Sequence, residues 1–137
     1  MKKNILVDLS ATIIHHGHIR LLKKASKLGR VIVALTSDIQ IKKHKGYKPE
    51  LNFLQRKEIL ESIKYVDKVI PSPWKLDLDF FKNTGADFLI HGNDNKNDIP
   101  KKYLKLYKRT EGISSSIIRD KVMKAIAQKN NLNDKKL

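Results

Sequence analysis

The sequence predicts a single α/β domain built on a doubly wound parallel sheet of about five strands with helices on both faces. Short β-branched runs alternate with longer amphipathic stretches, which is the pattern of successive βαβ units. The chain is 137 residues long, a length that makes one domain with a real core. No internal repeat or linker divides it, so residues 1–137 are read as one unit.

The elements follow in order. The run Asn4 to Asp8 is the first strand. Ile19, Leu22, Ala25 and Leu28 then recur at helical spacing with Gly29 behind them, which predicts a helix over 17–28 and a C-terminal stop. Val31 to Leu35 is the second strand. The lysine-rich passage Ser37 to Glu50 shows no period and contains Gly46 and Pro49, so it reads as a loop and a candidate lid. Phe53 to Tyr65 is helical through Ile59, Leu60 and Ile63, and leads into a strand at Lys68 to Ile70 that Pro71 and Pro73 should terminate. A further helix over Leu76 to Asn83 precedes a buried strand, Asp87 to His91, closed by Gly92 and a polar turn through Asp98. A fifth strand lies near Tyr103 to Lys108. The last helix starts at Ser114 or Ser115, where a serine caps free N–H groups, and runs through Ile117, Ile118, Val122 and Ile126. Residues 129–137 read as a frayed tail.

Composition narrows the classes of function. Hydrophobic residues at 40% and charged residues at 31% describe a folded globular chain. Cysteine is absent, which excludes disulfides, thiolate metal sites and a cysteine nucleophile, and fits a cytoplasmic address. The longest apolar run, Val31 to Leu35, is far short of the roughly 20 residues a membrane helix needs. The amino terminus reaches Asp8 and then histidines before any signal-like segment develops, so it is read as a mature start. Twenty-nine Lys+Arg against 14 Asp+Glu give a net charge of +15, which favours anionic partners. The lysines are spread along the chain without clustered aromatics for base stacking, so nucleic acid is a lesser reading than small phosphates.

The first chemical constellation is His15-His16-Gly17-His18, at the handover from the first strand to the first helix. In an open parallel sheet, ligands bind at the carboxyl ends of strands, and a helix N-terminus there offers free N–H groups and positive dipole to phosphate. His15 and His18 add directed donors, and Gly17 lets backbone approach a ligand. A zinc site would need a third and fourth ligand, which the sequence does not supply beside them.

The segment Ser10 to Leu22, with His15-His16-Gly17-His18, resembles the HxGH signature of the nucleotidyltransferase superfamily. Arg109-Thr110-Glu111-Gly112-Ile113-Ser114-Ser115-Ser116 closely matches the RTEGIS(S/T)(S/T) motif of cytidylyltransferases that act on phosphorylated alcohols. Between them lie weaker agreements in order: Thr36-Ser37-Asp38, Lys43-His44-Lys45-Gly46, Arg56, Tyr65 to Ile70, and His91-Gly92-Asn93-Asp94. Together they cover nearly the whole chain. Lys43 to Gly46 and His91 to Asp94 are most similar to the ethanolamine-phosphate branch, the single-domain length to the bacterial glycerol-3-phosphate enzyme, and Pro73-Trp74 to the choline-phosphate branch. The chain departs from the family where Leu9-Ser10-Ala11-Thr12 replaces Gly-Thr/Ser-Phe-Asp, a pattern similar to cytidylyltransferase domains of phosphonate biosynthesis. It also carries Asn95 where a GDDW-like motif has tryptophan.

The resemblance implies a Rossmann-like fold and transfer of CMP from CTP to a phosphorylated alcohol or a phosphonate, with Mg²⁺ accompanying the nucleotide. An adenylyltransferase of the same superfamily is the alternative among enzymes. Catalysis would fall to His15, His18, Lys45 and Arg109. CTP would be bound by Ser10, Ala11 and Gly17 beside the histidines, by Gly92 and Asp94, and by Thr110, Gly112, Ile113, Ser114 and Ser115 alongside Arg109. Lys43, Lys45 and Arg56 would hold the acceptor phosphate. The family resemblance also implies a homodimer, and no dedicated metal ligands are expected from the protein.

Overall fold

In the computed structural model, which describes residues 2–92 and 94–135, five strands form one sheet. They are β1 (Lys3–Leu9), β2 (Gly29–Thr36), β3 (Lys68–Ser72), β4 (Phe88–Gly92) and β5 (Leu104–Tyr107). The order is β3-β2-β1-β4-β5, and every pairing is parallel. The helices are α1 (His16–Ser26), α2 (Asp38–Lys45), α3 (Phe53–Glu61), α4 (Leu78–Asn83) and α5 (Ser115–Lys135).

Alternation along the strands sorts the apolar residues into two cores. Ile5 and Val7 of β1, with Val31, Val33 and Leu35 of β2, pack with Leu22 and Ala25 of α1 and Leu60 of α3. Leu6, Ala34 and Leu89 face the other way and pack with Leu76, Ile99 and Phe81 of α4. Helices therefore cover both faces, as a doubly wound sheet requires. Each fully buried Leu or Phe contributes about 2 kcal/mol of apolar burial, so α1, α3 and α4 are fixed by their own side chains.

The sheet order positions the site. Strands β1 and β4 are neighbours, but the chain leaves β1 towards β2 on one side and leaves β4 towards β5 on the other. Their carboxyl ends diverge into a crevice at this switch point, where α1 also begins.

Several boundaries differ from the sequence expectation. The passage 37–50 is not all loop: it contains α2, capped by Ser37 Oγ, which accepts from Gln40 N–H, and closed by Gly46 in the left-handed region at φ +79°. Only Ile41 of this helix is buried, so it leaves almost no amphipathic trace. Strand β3 continues through Pro71 to Ser72, because it is the edge strand and pairs with β2 on one side alone. Helix α3 stops at Glu61, and α4 begins at Leu78, where Asp77 caps it. The tail read as frayed is helical through Lys135, and residues 136–137 lie outside the described part.

Candidate active site

A cavity of about 540 Å³ opens at the carboxyl ends of β1 and β4. It brings together Ser10, Ala11, His15, Gly17, His18, Lys45, Gly92, Asp94, Arg109, Thr110, Ile113, Ser114 and Ser115, drawn from four separate stretches of the chain. Lys43, Arg56 and Gly112 are not among its lining residues. Asn93, between the Gly92 and Asp94 expected to bind CTP, lies outside the described residues.

The two histidines cap α1 reciprocally. His15 is the N-cap residue, and its Nδ1 accepts from Gly17 N–H at 3.1 Å. His18 Nδ1 accepts from His15 N–H at 3.1 Å. A ring nitrogen that accepts carries no proton in the neutral imidazole, so both rings hold theirs on Nε2. The rings stack with centroids 3.9 Å apart. Burial, then the neighbouring His15 and Arg109, push the His18 pKa down to about 3. Burial, His16 and Arg109 lower that of His15 as well. Both are therefore neutral N–H donors near pH 7, held at the positive end of a helix.

Close packing fixes this geometry. A Cβ on Gly17 would lie 2.9 Å from His15 Cε1 and 3.4 Å from Ile113 Cγ2, so no larger residue fits between the histidine and the Arg109–Ser116 segment. Ala11, at φ +44°, is the non-glycine residue in the left-handed region among those described, and it is buried in the loop before α1. Such strain persists only where the surroundings enforce it, as they do at many ligand sites. Ser115 Oγ donates to Ile13 O at 2.9 Å and accepts from Ile13 N–H at 3.3 Å, sewing the start of α5 to that loop. Ser114 Oγ accepts from Ile117 N–H and caps α5. Two helix N-termini thus converge on one cavity; the Gly17 and His18 N–H groups of α1 are already taken by His15, and the Ser115 and Ser116 N–H groups of α5 are left to an anion.

Arg109 faces them. Its Nη2 lies 2.9 Å from Asp94 Oδ2, and its Nε donates to Asp94 Oδ1 at 3.1 Å. Burial opposes the Asp94 charge, but the hydrogen bond and charge of Arg109 outweigh it and hold Asp94 below the usual carboxylate range. A Cβ on Gly92 would meet Asp94 Oδ1 at 2.7 Å, so that glycine makes room for the pair. From α2, Lys45 reaches the cavity beside Trp74, with Nζ 5.9 Å from the ring centroid. Burial, then Arg119 and Arg109, lower its pKa.

Arg56 requires a correction. Instead of meeting an acceptor phosphate, it is fully buried. Its Nη1 donates to Ser10 O at 2.7 Å and Thr36 O at 3.0 Å, its Nε to Leu51 O, and its Nη2 pairs with Asp38 Oδ1 at 2.7 Å. The guanidinium joins the ends of β1 and β2 to the starts of α2 and α3. It shapes the cavity floor from behind. Lys43 is exposed on α2, away from the cavity.

Sequence reasoning missed a polar corner. Asp8, at the end of β1, accepts from Asn97 Nδ2 at 2.8 Å and lies 3.4 Å from His91 Nε2, both through Oδ2. Its Oδ1 is buried without a partner, as is Thr12 Oγ1. Burial raises the Asp8 pKa, and His91 and Asn97 partly offset it. All four residues line the cavity, which therefore offers a ligand an acceptor corner opposite its cationic one. The available signal was an acid at the end of an otherwise apolar strand.

Among the described residues, no group of three or more His, Asp or Glu side chains stands close enough to hold a metal. Of the two cavity carboxylates, Asp94 is engaged by Arg109 through both oxygens, and Asp8 is held by His91 and Asn97 through Oδ2 alone. The donor set does not build a magnesium cage. No helix of the described residues is long and apolar enough to cross a membrane.

Known proteins resemble the chain over most of its length. Residues 10–110 match the family model described as Cytidylyltransferase-like. The chain is 37% identical over 130 residues to the glycerol-3-phosphate cytidylyltransferase of Staphylococcus aureus, covering 88% of this chain and 95% of that one. It is also 37% identical over 120 residues to the FAD synthase of Pyrococcus horikoshii, covering 86% and 80%. Among solved structures, the lipopolysaccharide core biosynthesis protein of Thermoplasma volcanium superposes with a TM-score of 0.66 at 22% identity. That likeness covers 79% of this chain and 98% of the other, and is a likeness of fold.

Proposed function

The chain belongs to the Cytidylyltransferase-like family, enzymes of the nucleotidyltransferase type, and from that premise we propose that it moves CMP from CTP to a small phosphorylated alcohol. The observation that carries the reading is the convergence of the reciprocally capped His15 and His18 with Arg109 and the α5 N-terminus on one cavity.

An oxygen of the acceptor phosphate attacks the α-phosphorus of CTP. A new phosphorus–oxygen bond forms, the α–β phosphoanhydride breaks, and pyrophosphate leaves with the electron pair. The acceptor is anionic near neutral pH, so no general base is needed, and catalysis reduces to alignment and charge stabilisation. His15 and His18 donate from Nε2 to the triphosphate and to the charge that develops on the bridging oxygen. The first-turn N–H groups of α5 hold the β- and γ-phosphates, with Arg109 donating from the guanidinium N–H groups that Asp94 leaves free. Lys45 meets the acceptor phosphate from the opposite side. Mg²⁺ bound with CTP would supply charge neutralisation of the triphosphate, a load that His15, His18 and Arg109 would share.

The similarity to an FAD synthase supports adenylyl transfer as a second reading. Pyrophosphate release with CTP, ATP, UTP and GTP tests both. The acceptor panel is glycerol-3-phosphate, phosphoethanolamine, phosphocholine and 2-hydroxyethylphosphonate. Turnover with CTP and one acceptor is expected, and a preference for ATP would overturn the cytidylyl assignment. The dimer implied by the resemblance belongs to the same proposal, with sedimentation equilibrium as its check.

A further inference from the structure

Lys45 sits at the C-terminal end of α2, and little apolar packing holds it there. Only Ile41 of the helix is buried, and the N-terminal ties made by Ser37 and Asp38 lie at the far end. The segment beyond Gly46 is instead bound to α5. Arg119 Nε donates to Glu50 Oε1 at 2.6 Å and Nη2 to Oε2 at 2.7 Å, a bidentate contact across 69 residues of sequence. The same guanidinium lies 4.6 Å from the centroid of the Tyr47 ring, and the Arg119 side chain is only 19% exposed. On the other side of Lys45, His44 stacks on Trp74 with centroids 4.7 Å apart and planes 8° from parallel.

We propose that Arg119, acting through Glu50 and Tyr47, is a positioning residue for the transfer reaction: it straps segment 46–50 to the first turns of α5 and so fixes Lys45 over the cavity. This rests on the reading of Lys45 as a phosphate-binding group. The strap joins two parts of one site, because α5 supplies phosphate-binding N–H groups at its start and carries Arg119 one turn later. A planar fork suits this role. It specifies the carboxylate's orientation as well as its distance, which a lysine ammonium does not. Lysine has a long flexible stem, and a misplacement of about 1 Å in a reacting group costs up to about a hundredfold in rate.

The test uses the full chain with Glu50→Gln, Arg119→Gln, Arg119→Lys and Lys45→Ala. Turnover is followed as pyrophosphate release from CTP with glycerol-3-phosphate and with phosphoethanolamine. Arg119→Gln and Glu50→Gln should each lower kcat by about tenfold or more while leaving the KM for CTP nearly unchanged, with partial recovery in Arg119→Lys. In the Lys45→Ala background, Arg119→Gln should add nothing, since both act on one group. Trp74, the single tryptophan, should change its emission in both strap variants as His44 leaves its ring.

Two outcomes overturn the strap: Trp74 emission unchanged in both variants, or loss of turnover that adds fully to that of Lys45→Ala. Full activity of Lys45→Ala would instead overturn the role of Lys45, and Trp74 emission would still decide whether the strap exists. Glu50 is half exposed, so Glu50→Gln keeps the test valid should Arg119→Gln fold poorly.

Discussion

His15 and His18 hold each other across the first turn of α1: the His15 N–H donates to His18 Nδ1 at 3.1 Å while His15 Nδ1 accepts from Gly17 N–H at 3.1 Å. Capping and catalysis are thus separated onto different nitrogens of the same rings. One nitrogen of each ring holds the helix, and the other is left to donate to phosphate.

That separation predicts different outcomes for two variants. His18→Asn keeps a side-chain acceptor near the Nδ1 position and removes the Nε2 donor, whereas His18→Ala removes both. Both should lose about a hundredfold or more in kcat, the size expected for a preorganised donor. Only His18→Ala should also lose about 1 kcal/mol of stability with the cap. Chemical denaturation alongside pyrophosphate release reads both quantities, and unchanged turnover in His18→Asn would remove Nε2 from the mechanism.

Acid should destabilise the fold through the same residue. A base whose pKa is depressed on folding, as His18 is from 6.5 to about 3, binds its proton less tightly than in the unfolded chain. Its stability contribution is complete above pH 6.5 and is lost as pH falls through that value towards 3. Thermal melts at pH 7.5, 6.0 and 4.5 should show a falling Tm, with a shallower fall in His18→Asn. Parallel slopes in the two proteins would assign the acid sensitivity elsewhere.

Arg56 gives a sharp choice between architecture and substrate binding. Replacing it with Met leaves the carbonyls of Ser10 and Thr36 and the Asp38 carboxylate without their donor. The expected loss is about 3–5 kcal/mol, typical of breaking a buried charged network. A phosphate-binding arginine would behave differently, raising the acceptor KM with little change in Tm. Urea denaturation of Arg56→Met, with acceptor kinetics on the folded fraction, separates the two.

The parts legible in the sequence share a physical cause. Strands β1, β2 and β4 are buried on both faces and read as apolar runs, and α1 carries the helical spacing of Leu22 and Ala25. His15, Gly17 and His18 are contiguous, so their site declares itself locally. Helix α2 did not, because a helix with one buried residue has no stripe to detect. Arg56 and Asp8 were misread or missed because their roles depend on partners distant in sequence. Arg56 meets Ser10 46 residues away, and Asp8 meets Asn97 89 residues away.

Asp8 yields the remaining prediction. Burial raises its pKa, so the native state favours its protonated form more than the unfolded chain does. A carboxylic acid shifted in that direction stabilises fully below its unfolded pKa and loses that contribution as pH rises through the folded value. At neutral pH the charged Asp8, with Oδ1 unpaired, is therefore a cost, and an isosteric amide removes it. Asp8→Asn should melt at a higher temperature than wild type at pH 7.5, with the gain shrinking towards pH 4. Turnover should fall in the same variant if the free oxygen serves a ligand, since residues that cost stability at a cavity wall are kept for what they bind. A lower Tm for Asp8→Asn at pH 7.5 would mean that the 3.4 Å contact with His91 makes the charged form a net stabilising tie.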